Sequence, residues 1–222
     1  DAARLELLAA ELRTDFGVEV EVFAADLGDA DHVEALAQRV ADPDRPVDLL
    51  VNNAGFGLTN HLLEADRGEA RRAIAVMCTA VAELSLAAAA AMTQRGHGRI
   101  LNVASLSAWV TQGNYSAVKA WVKVFTEGLA NELAGSGVTA TALCPGWVRT
   151  EFHQRADLPT GTIPDWIWVD ADTCVRKALA DCDRGVVVSV PTARWKLARF
   201  GLDLLPRSGV RWVSRRLTHS RD

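Results

Sequence analysis

Tyr115 and Lys119 stand four residues apart in Tyr115-Ser116-Ala117-Val118-Lys119, and Ser105 precedes the tyrosine by ten residues. If the segment 112–135 is helical, Tyr115 and Lys119 lie one turn apart on a single face. An ammonium beside a phenol favours the phenolate. Lys119 is therefore expected to lower the Tyr115 pKa from its ordinary value near ~10. A tyrosine that gives or takes a proton near neutral pH needs such a neighbour. Tyr115 is the only tyrosine in the chain. The spacing by itself is common on structural helices, so its surroundings decide what it means.

The surroundings alternate helix and strand. Leu5, Leu8, Ala9 and Leu12 recur at helical spacing over residues 1–15. Val18 to Ala25 reads as a strand that ends at Asp26-Leu27. Asp29 suits the cap of a helix running to Val40, which Pro43 and Pro46 terminate. Val47 to Val51 is a short apolar strand that runs into Asn52-Asn53-Ala54-Gly55. A long helix from Asp66 to Gln94 ends at Gly96 and Gly98. The strand Arg99 to Ala104 leads to Ser105. The Tyr115 helix follows, then a strand at Val138 to Leu143 and the pair Pro145-Gly146. A helix from Asp170 to Asp181 and a strand from Val186 to Val190 complete the pattern. Such alternation predicts an α/β fold: a Rossmann-like, doubly wound parallel sheet in three α/β/α layers. Ligands of such sheets sit outside the carboxyl ends of the strands, where Asp26, Asn52 to Gly55, Ser105 and Pro145-Gly146 are expected.

Bulk properties narrow the classes. A chain of 222 residues, 49% hydrophobic and 23% charged, can form one domain with a substantial core. A net charge of −4 gives no case for nucleic-acid binding. Cys78, Cys144, Cys174 and Cys182 form no Cys-x-x-Cys and have no histidine cluster beside them, so no metal site is expected. Free thiols in a reducing compartment, and hence a cytoplasmic location, are the expectation. The alanine-rich run 73–92 contains Glu83 and reads as a buried helix rather than a membrane span.

Residues 148–169 are less regular. With Trp147, Phe152, Ile163, Trp166, Ile167 and Trp168 among Pro159, Gly161 and Pro164, they read either as a lid over a pocket or as a loop that packs its own core. Residues 192–222 carry eight basic side chains against Asp203 and Asp222. This basic, amphipathic extension follows a main domain at 1–191. Its apolar side (Trp195, Phe200, Leu204, Leu205, Trp212, Val213) can pack on the core or on a partner subunit, or lie on an anionic membrane; the sequence favours packing.

These signals together resemble the short-chain dehydrogenase/reductase family of bacterial type. They are Asp26-Leu27, Asn52-Asn53-Ala54-Gly55, Ser105, Tyr115-x-x-x-Lys119 and Pro145-Gly146-Trp147-Val148-Arg149-Thr150, in family order from Asp1 to Val190. The resemblance implies an NAD(P)-dependent oxidoreductase that interconverts a ketone and a secondary alcohol by hydride transfer. Tyr115 is implied as general acid/base, Ser105 as the substrate-orienting donor and Lys119 as the ligand of the nicotinamide ribose. Ser107 competes with Ser105 for the serine role. Asp26 and Leu27 are implied at the adenine, Asn53, Ala54 and Gly55 along the cofactor, and Pro145, Gly146, Val148 and Thr150 at the nicotinamide and pyrophosphate. Trp147, Phe152, Trp166 and Trp168 would line an apolar lid, implying a hydrophobic carbonyl or alcohol substrate. NADP is favoured over NAD on the resemblance alone. Pairing through the long helix and the tyrosine helix implies a homodimer or homotetramer, with Trp121, Val122, Phe125 and Leu129 as candidate contacts.

Two features depart from the family. Its opening strand, its Thr-Gly-x-x-x-Gly-x-Gly turn and its second strand have no counterpart after Asp1, so the physical protein is expected to be longer. Met77 stands where the family places an asparagine linked to a proton relay, and methionine cannot donate a hydrogen bond. Both departures lend support to an alternative, a non-catalytic cofactor-sensing or scaffold relative. The intact Ser105, Tyr115 and Lys119 oppose it.

Overall fold

The computed structural model of the protein describes all residues except 59–61, 64, 153–163 and 220–222. The middle of the expected lid, with Pro159, Gly161 and Ile163, lies outside the described residues, as does Arg221. Four strands form one sheet in the order β1 (Leu49–Asn52), β2 (Gly98–Val103), β3 (Val138–Leu143) and β4 (Val188–Ser189). All three pairings are parallel. Strand β3 has the bounds expected from its alternation of valine, threonine and alanine.

Side chains alternate across the sheet. Ile100, Ala140 and Ala142 pack against the helices α4 (Ala80–Arg95) and α5 (Gly113–Glu132). Leu101 and Leu143 face the opposite way, onto Cys174, Ala178 and Cys182 of helix α6 (Ala171–Asp183). The result is the three-layer α/β/α arrangement expected. The register sets Asn52 directly opposite Asn102. Their side chains share the α4/α5 face and form a buried polar network. Asn52 Nδ2 donates to Asn102 Oδ1 at 2.8 Å and to Ser85 Oγ at 3.0 Å. Asn102 Nδ2 donates to Thr126 Oγ1 at 3.0 Å. One network thus binds the ends of two strands to both helices of that layer.

Helix starts follow their caps. Asp29 accepts from the backbone of Asp31 and His32 at the head of α2 (Ala30–Ala41), and Asp66 accepts from Gly68 and Glu69 at the head of α3 (Arg67–Ile74). Gly96 ends α4 in the left-handed conformation at φ 77°. The expected uninterrupted helix from Asp66 is instead broken by a π-helical turn over Ala75–Thr79 between α3 and α4. Successive residues of an α-helix are turned by about 100°, so three in a row overrun a single buried stripe. The widened turn buries Val76, Met77 and Cys78 together. By length and composition the stretch Arg67–Arg95 could cross a bilayer, yet Ala73, Val81, Leu84, Ala88 and Met92 are core residues of this fold.

One expected strand does not form. Val18 to Ala25 takes no regular structure and joins no ladder. A strand exists only with a partner to exchange backbone hydrogen bonds, and among the described residues none lies beside it. Ion pairs hold it instead: Glu21 bridges Arg39 of α2 and Arg45. The outer edge of β1 likewise carries no neighbouring strand among the described residues, and Val51 is exposed there. Helix α1 (Ala2–Phe16) forms as predicted, though of its apolar stripe only Ala9 is fully buried.

The network predicts a stability effect. Asn102→Ala removes the centre of the network and leaves Asn52 and Thr126 without their partner. We expect a loss of about 2–4 kcal/mol in urea denaturation. A change within about 0.5 kcal/mol would show the network to be incidental.

Candidate active site

The carboxyl ends of β1, β2 and β3 bring the predicted residues together. β1 ends at Asn52, and the run Asn53-Ala54-Gly55 leaves the sheet exposed. Past β2, Ser105 caps a single 3-10 turn, Leu106–Trp109, its Oγ accepting from Ser107 N at 3.1 Å. The loops beyond β2 and β3 are stitched by backbone bonds. Ala104 N donates to Leu143 O at 2.8 Å, and Leu106 N to Pro145 O at 3.0 Å. Ser105 and Pro145-Gly146 therefore share one rigid rim.

Helix α5 brings Tyr115 and Lys119 to that rim. The Ser105 hydroxyl lies near enough to the Tyr115 phenol to favour its ionised form. By contrast, the buried Ser107 Oγ makes no hydrogen bond to a protein group. Of the two serines, Ser105 is the one that engages the tyrosine. Lys119 is 5% exposed, and its Nζ donates to the Val103 carbonyl at the end of β2 at 2.7 Å. The ammonium lies 5.8 Å from the centre of the Tyr115 ring.

The electrostatics correct one expectation. Lys119 does not lower the tyrosine pKa. Burial pushes the Tyr115 phenol up to about 12, and the nearby Ser105 hydroxyl offsets only part of this. Burial also pushes the Lys119 ammonium down to about 8, opposed by Cys78 and Cys144. Its ammonium is turned to a carbonyl, with no carboxylate beside it to hold its charge. Burial raises the two thiols themselves, Cys78 to about 11 and Cys144 to about 12. All four cysteines are free and buried, as expected.

The π turn completes this corner. A Cβ added at Gly55 would lie 3.1 Å from Met77 Sδ and 3.7 Å from Lys119 Nζ. A side chain there would press on the Met77 thioether, so a glycine lets the loop pass close to both. Met77 thus fills the space between the loop after β1 and Lys119 with a thioether. Leu27 packs on the apolar cluster of Met77, Val76 and Val118, which Tyr115 also joins. Asp26 is held there by Arg72 of α3 at 3.0 Å and accepts from Gly28 N at 2.9 Å. The hydrogen bond from Gly28, then the one from Arg72, holds its carboxyl below the usual carboxylate range.

The expected lid residues divide. Phe152 lies 5.9 Å from Tyr115, ring centre to ring centre. Trp147 and Trp168 pair edge to face at 5.6 Å, and backbone bonds between Arg149, Trp147 and Val169 tie the two ends of the excursion together. Trp166 is 68% exposed. Val148 is half-buried in the cluster around α6, while Thr150 is exposed and accepts from Phe152 N.

The sequence did not reveal how the tail joins this site. Its first helix, α7 (Ala193–Leu204), lays Trp195 against Gly146, so closely that a Cβ there would lie 2.1 Å from the indole. Trp109, from the turn that Ser105 caps, donates to Asp203 at 2.7 Å and is flanked by Lys123 and Arg199. Arg194 donates to the Trp166 and Trp168 carbonyls. One helix therefore buttresses the serine turn, the Pro-Gly loop and the far end of the lid. Nothing in the spacing of these residues signals such long-range pairs.

The residues suit a nicotinamide dinucleotide. A buried ammonium with donors to spare stands beside an exposed backbone run that passes close to it at Gly55. The chain belongs to the short chain dehydrogenase family, whose model matches residues 1–159. Nodulation protein G of Rhizobium sp. (strain N33) is 36% identical over 156 residues, covering 68% of this chain and 62% of that protein. The chain thus spans less than two thirds of that relative's length. A short-chain dehydrogenase from Sphingobium yanoikuyae in complex with NADPH superimposes with a TM-score of 0.81 at 33% identity, covering 93% of this chain and 84% of that one. The bulky-bulky ketone specific alcohol dehydrogenase from Comamonas testosteroni gives 0.76 at 29% identity, covering 93% and 82%.

A single tyrosine makes the site directly titratable. We expect little phenolate absorbance from the folded chain at pH 10, where an ordinary tyrosine is about half ionised. Ser105→Ala should shift the midpoint further upward. A midpoint at or below 10 would restore lysine control of the phenol.

Proposed function

We propose that this chain carries the catalytic site of an NADP-dependent oxidoreductase that reduces a hydrophobic ketone to a secondary alcohol, and catalyses the reverse reaction. The observation that carries the reading is the buried Lys119 ammonium beside the Tyr115 ring, with Ser105 next to the phenol. When bound, the cofactor supplies or accepts hydride. Lys119 would hold its ribose hydroxyls, and Asn53, Ala54 and Gly55 would run along it. Pro145, Gly146, Val148 and Thr150 would meet its nicotinamide and pyrophosphate side, with Asp26 and Leu27 at the adenine. The NADPH-bound Sphingobium structure supports NADP.

Tyr115 is protonated at neutral pH, because its pKa is raised to about 12. It is therefore ready to act as an acid. Its proton passes to the carbonyl oxygen as negative charge develops there. Ser105 Oγ donates to the same oxygen, so two fixed groups stabilise one oxyanion. The phenolate left behind is a stronger base than Lys119, whose pKa is about 8. The Lys119 ammonium, beside the ring, is placed to return a proton to that phenolate. Met77 contributes no donor to that return.

Phe152, Trp147 and Trp168 make the surroundings apolar, which suits a bulky hydrophobic carbonyl. The ketone-specific Comamonas relative supports the same substrate class. Residues 1–191 would form the cofactor-binding domain, with 148–169 as the lid and 192–222 as the extension that braces it. Trp121, exposed on α5 and stacked at 4.9 Å on the half-buried Phe125, suits pairing of two copies. Val122 and Leu129, the other two candidates, are buried in this chain's own core. We assign the protein to the cytoplasm, a reading that the four free thiols support.

Tyr115→Phe tests this reading. Turnover of a bulky aryl ketone with NADPH should fall by about 10²–10⁴-fold with the fold intact. Unchanged turnover would overturn the proposal and leave a scaffold or cofactor-sensing relative.

A further inference from the structure

The inward side of the tail packs on the site, and its outward side is exposed. On α7, Trp195, Arg199 and Leu202 face the body of the protein at i, i+4 and i+7. Leu197, Phe200 and Leu204 recur at i, i+3 and i+7 on the other side, and they are 71%, 59% and 69% exposed. Three large apolar side chains in one stripe are costly in water. Lys196 and Arg194 flank that stripe around the helix.

The last helix, α8 (Arg207–His219), continues the pattern. Val210 and Ser214 are buried, and Ser214 Oγ accepts from Thr111 N at 2.9 Å. Outward lie Arg207, Arg211 and Arg215 at i, i+4 and i+8, with Trp212 and Arg216 beside them. Trp212 is 54% exposed, and the Arg216 guanidinium lies 5.0 Å from the centre of its ring. The sequence from Leu204 to His219 contains no carboxylate. Asp203, just before it, is engaged by Trp109 and Arg199.

From this arrangement we propose that the outward face of α7 and α8 docks the protein on an anionic lipid bilayer. Leu197, Phe200, Leu204 and Trp212 enter the headgroup boundary, and the arginines of α8 pair with lipid phosphates. Charge complementarity selects the occupant: the face is cationic, with no carboxylate from Leu204 to His219, and leucine, phenylalanine and tryptophan beside arginine are what an interfacial helix presents to such a surface. The inward contacts stay intact, so docking leaves the serine turn and the Pro-Gly loop in place. This inference is independent of the substrate proposed above.

Flotation of the full chain with vesicles tests it. We expect it to float with phosphatidylcholine vesicles containing phosphatidylglycerol, to remain behind with phosphatidylcholine alone, and to detach as salt is raised. A Leu197→Ser, Phe200→Ser double variant should bind about tenfold more weakly or less. An Arg207→Gln, Arg211→Gln pair should lose the preference for anionic vesicles. All four side chains are exposed, so circular dichroism and melting should match the parent. Tryptophan quenching by brominated phosphatidylglycerol in the parent chain, reduced in Trp212→Phe, gives an independent reading. Equal binding to both vesicle types, unchanged flotation of the double variants, or equal quenching in Trp212→Phe would each overturn the proposal. So would self-association through this face in the absence of vesicle binding, which would assign it to a second copy of the chain.

Discussion

A charge held out of water organises this molecule. The Lys119 ammonium is 5% exposed and rests on one carbonyl, that of Val103. Burying an ammonium is costly, and its pKa falls to about 8 as a consequence. Such a group stays in place only if its surroundings are fixed. Strand β2 supplies the carbonyl, helix α5 the lysine, and the π turn with Gly55 closes the space around them. The same exclusion of water raises the Tyr115 phenol. One constraint therefore sets the phenol and the ammonium apart in pKa while keeping them side by side, a pattern suited to proton transfer.

That constraint depends on strand ends that do not shift. The Asn52–Asn102–Thr126 network fixes two of them against α4 and α5. The backbone bonds from Ala104 to Leu143 and from Leu106 to Pro145 fix the rim above. From the other side, α7 grips Trp109 and Gly146. Preorganised donors act on developing charge only if they need not move to do so. The tail is thus continuous with the site that it follows in sequence.

Much of this was legible in the residues. The alternation of strand and helix, the caps Asp29 and Asp66 and the stop at Gly96 are local signals, and the fold follows them. Ser105, Tyr115, Lys119 and the loops after β1 and β3 were legible because a parallel sheet gathers strand ends on one edge. The failures have physical causes. Val18 to Ala25 has the composition of a strand, but composition cannot supply the partner that a ladder requires. The π turn is invisible because its residues suit an ordinary buried helix. The tyrosine pKa was misjudged because spacing conveys proximity and not burial, and burial is the larger effect here. Trp109 with Asp203 and Trp195 with Gly146 are long-range contacts that no local pattern encodes.

The central claim is that the buried ammonium of Lys119 holds a nicotinamide cofactor beside Tyr115. A fluorescence titration of the chain with NADPH and NADH tests this most directly, with Lys119→Met measured in parallel. We expect saturable binding that is tighter for NADPH and severely weakened in Lys119→Met. Absence of binding by either cofactor, or equal binding by the variant, would contradict it.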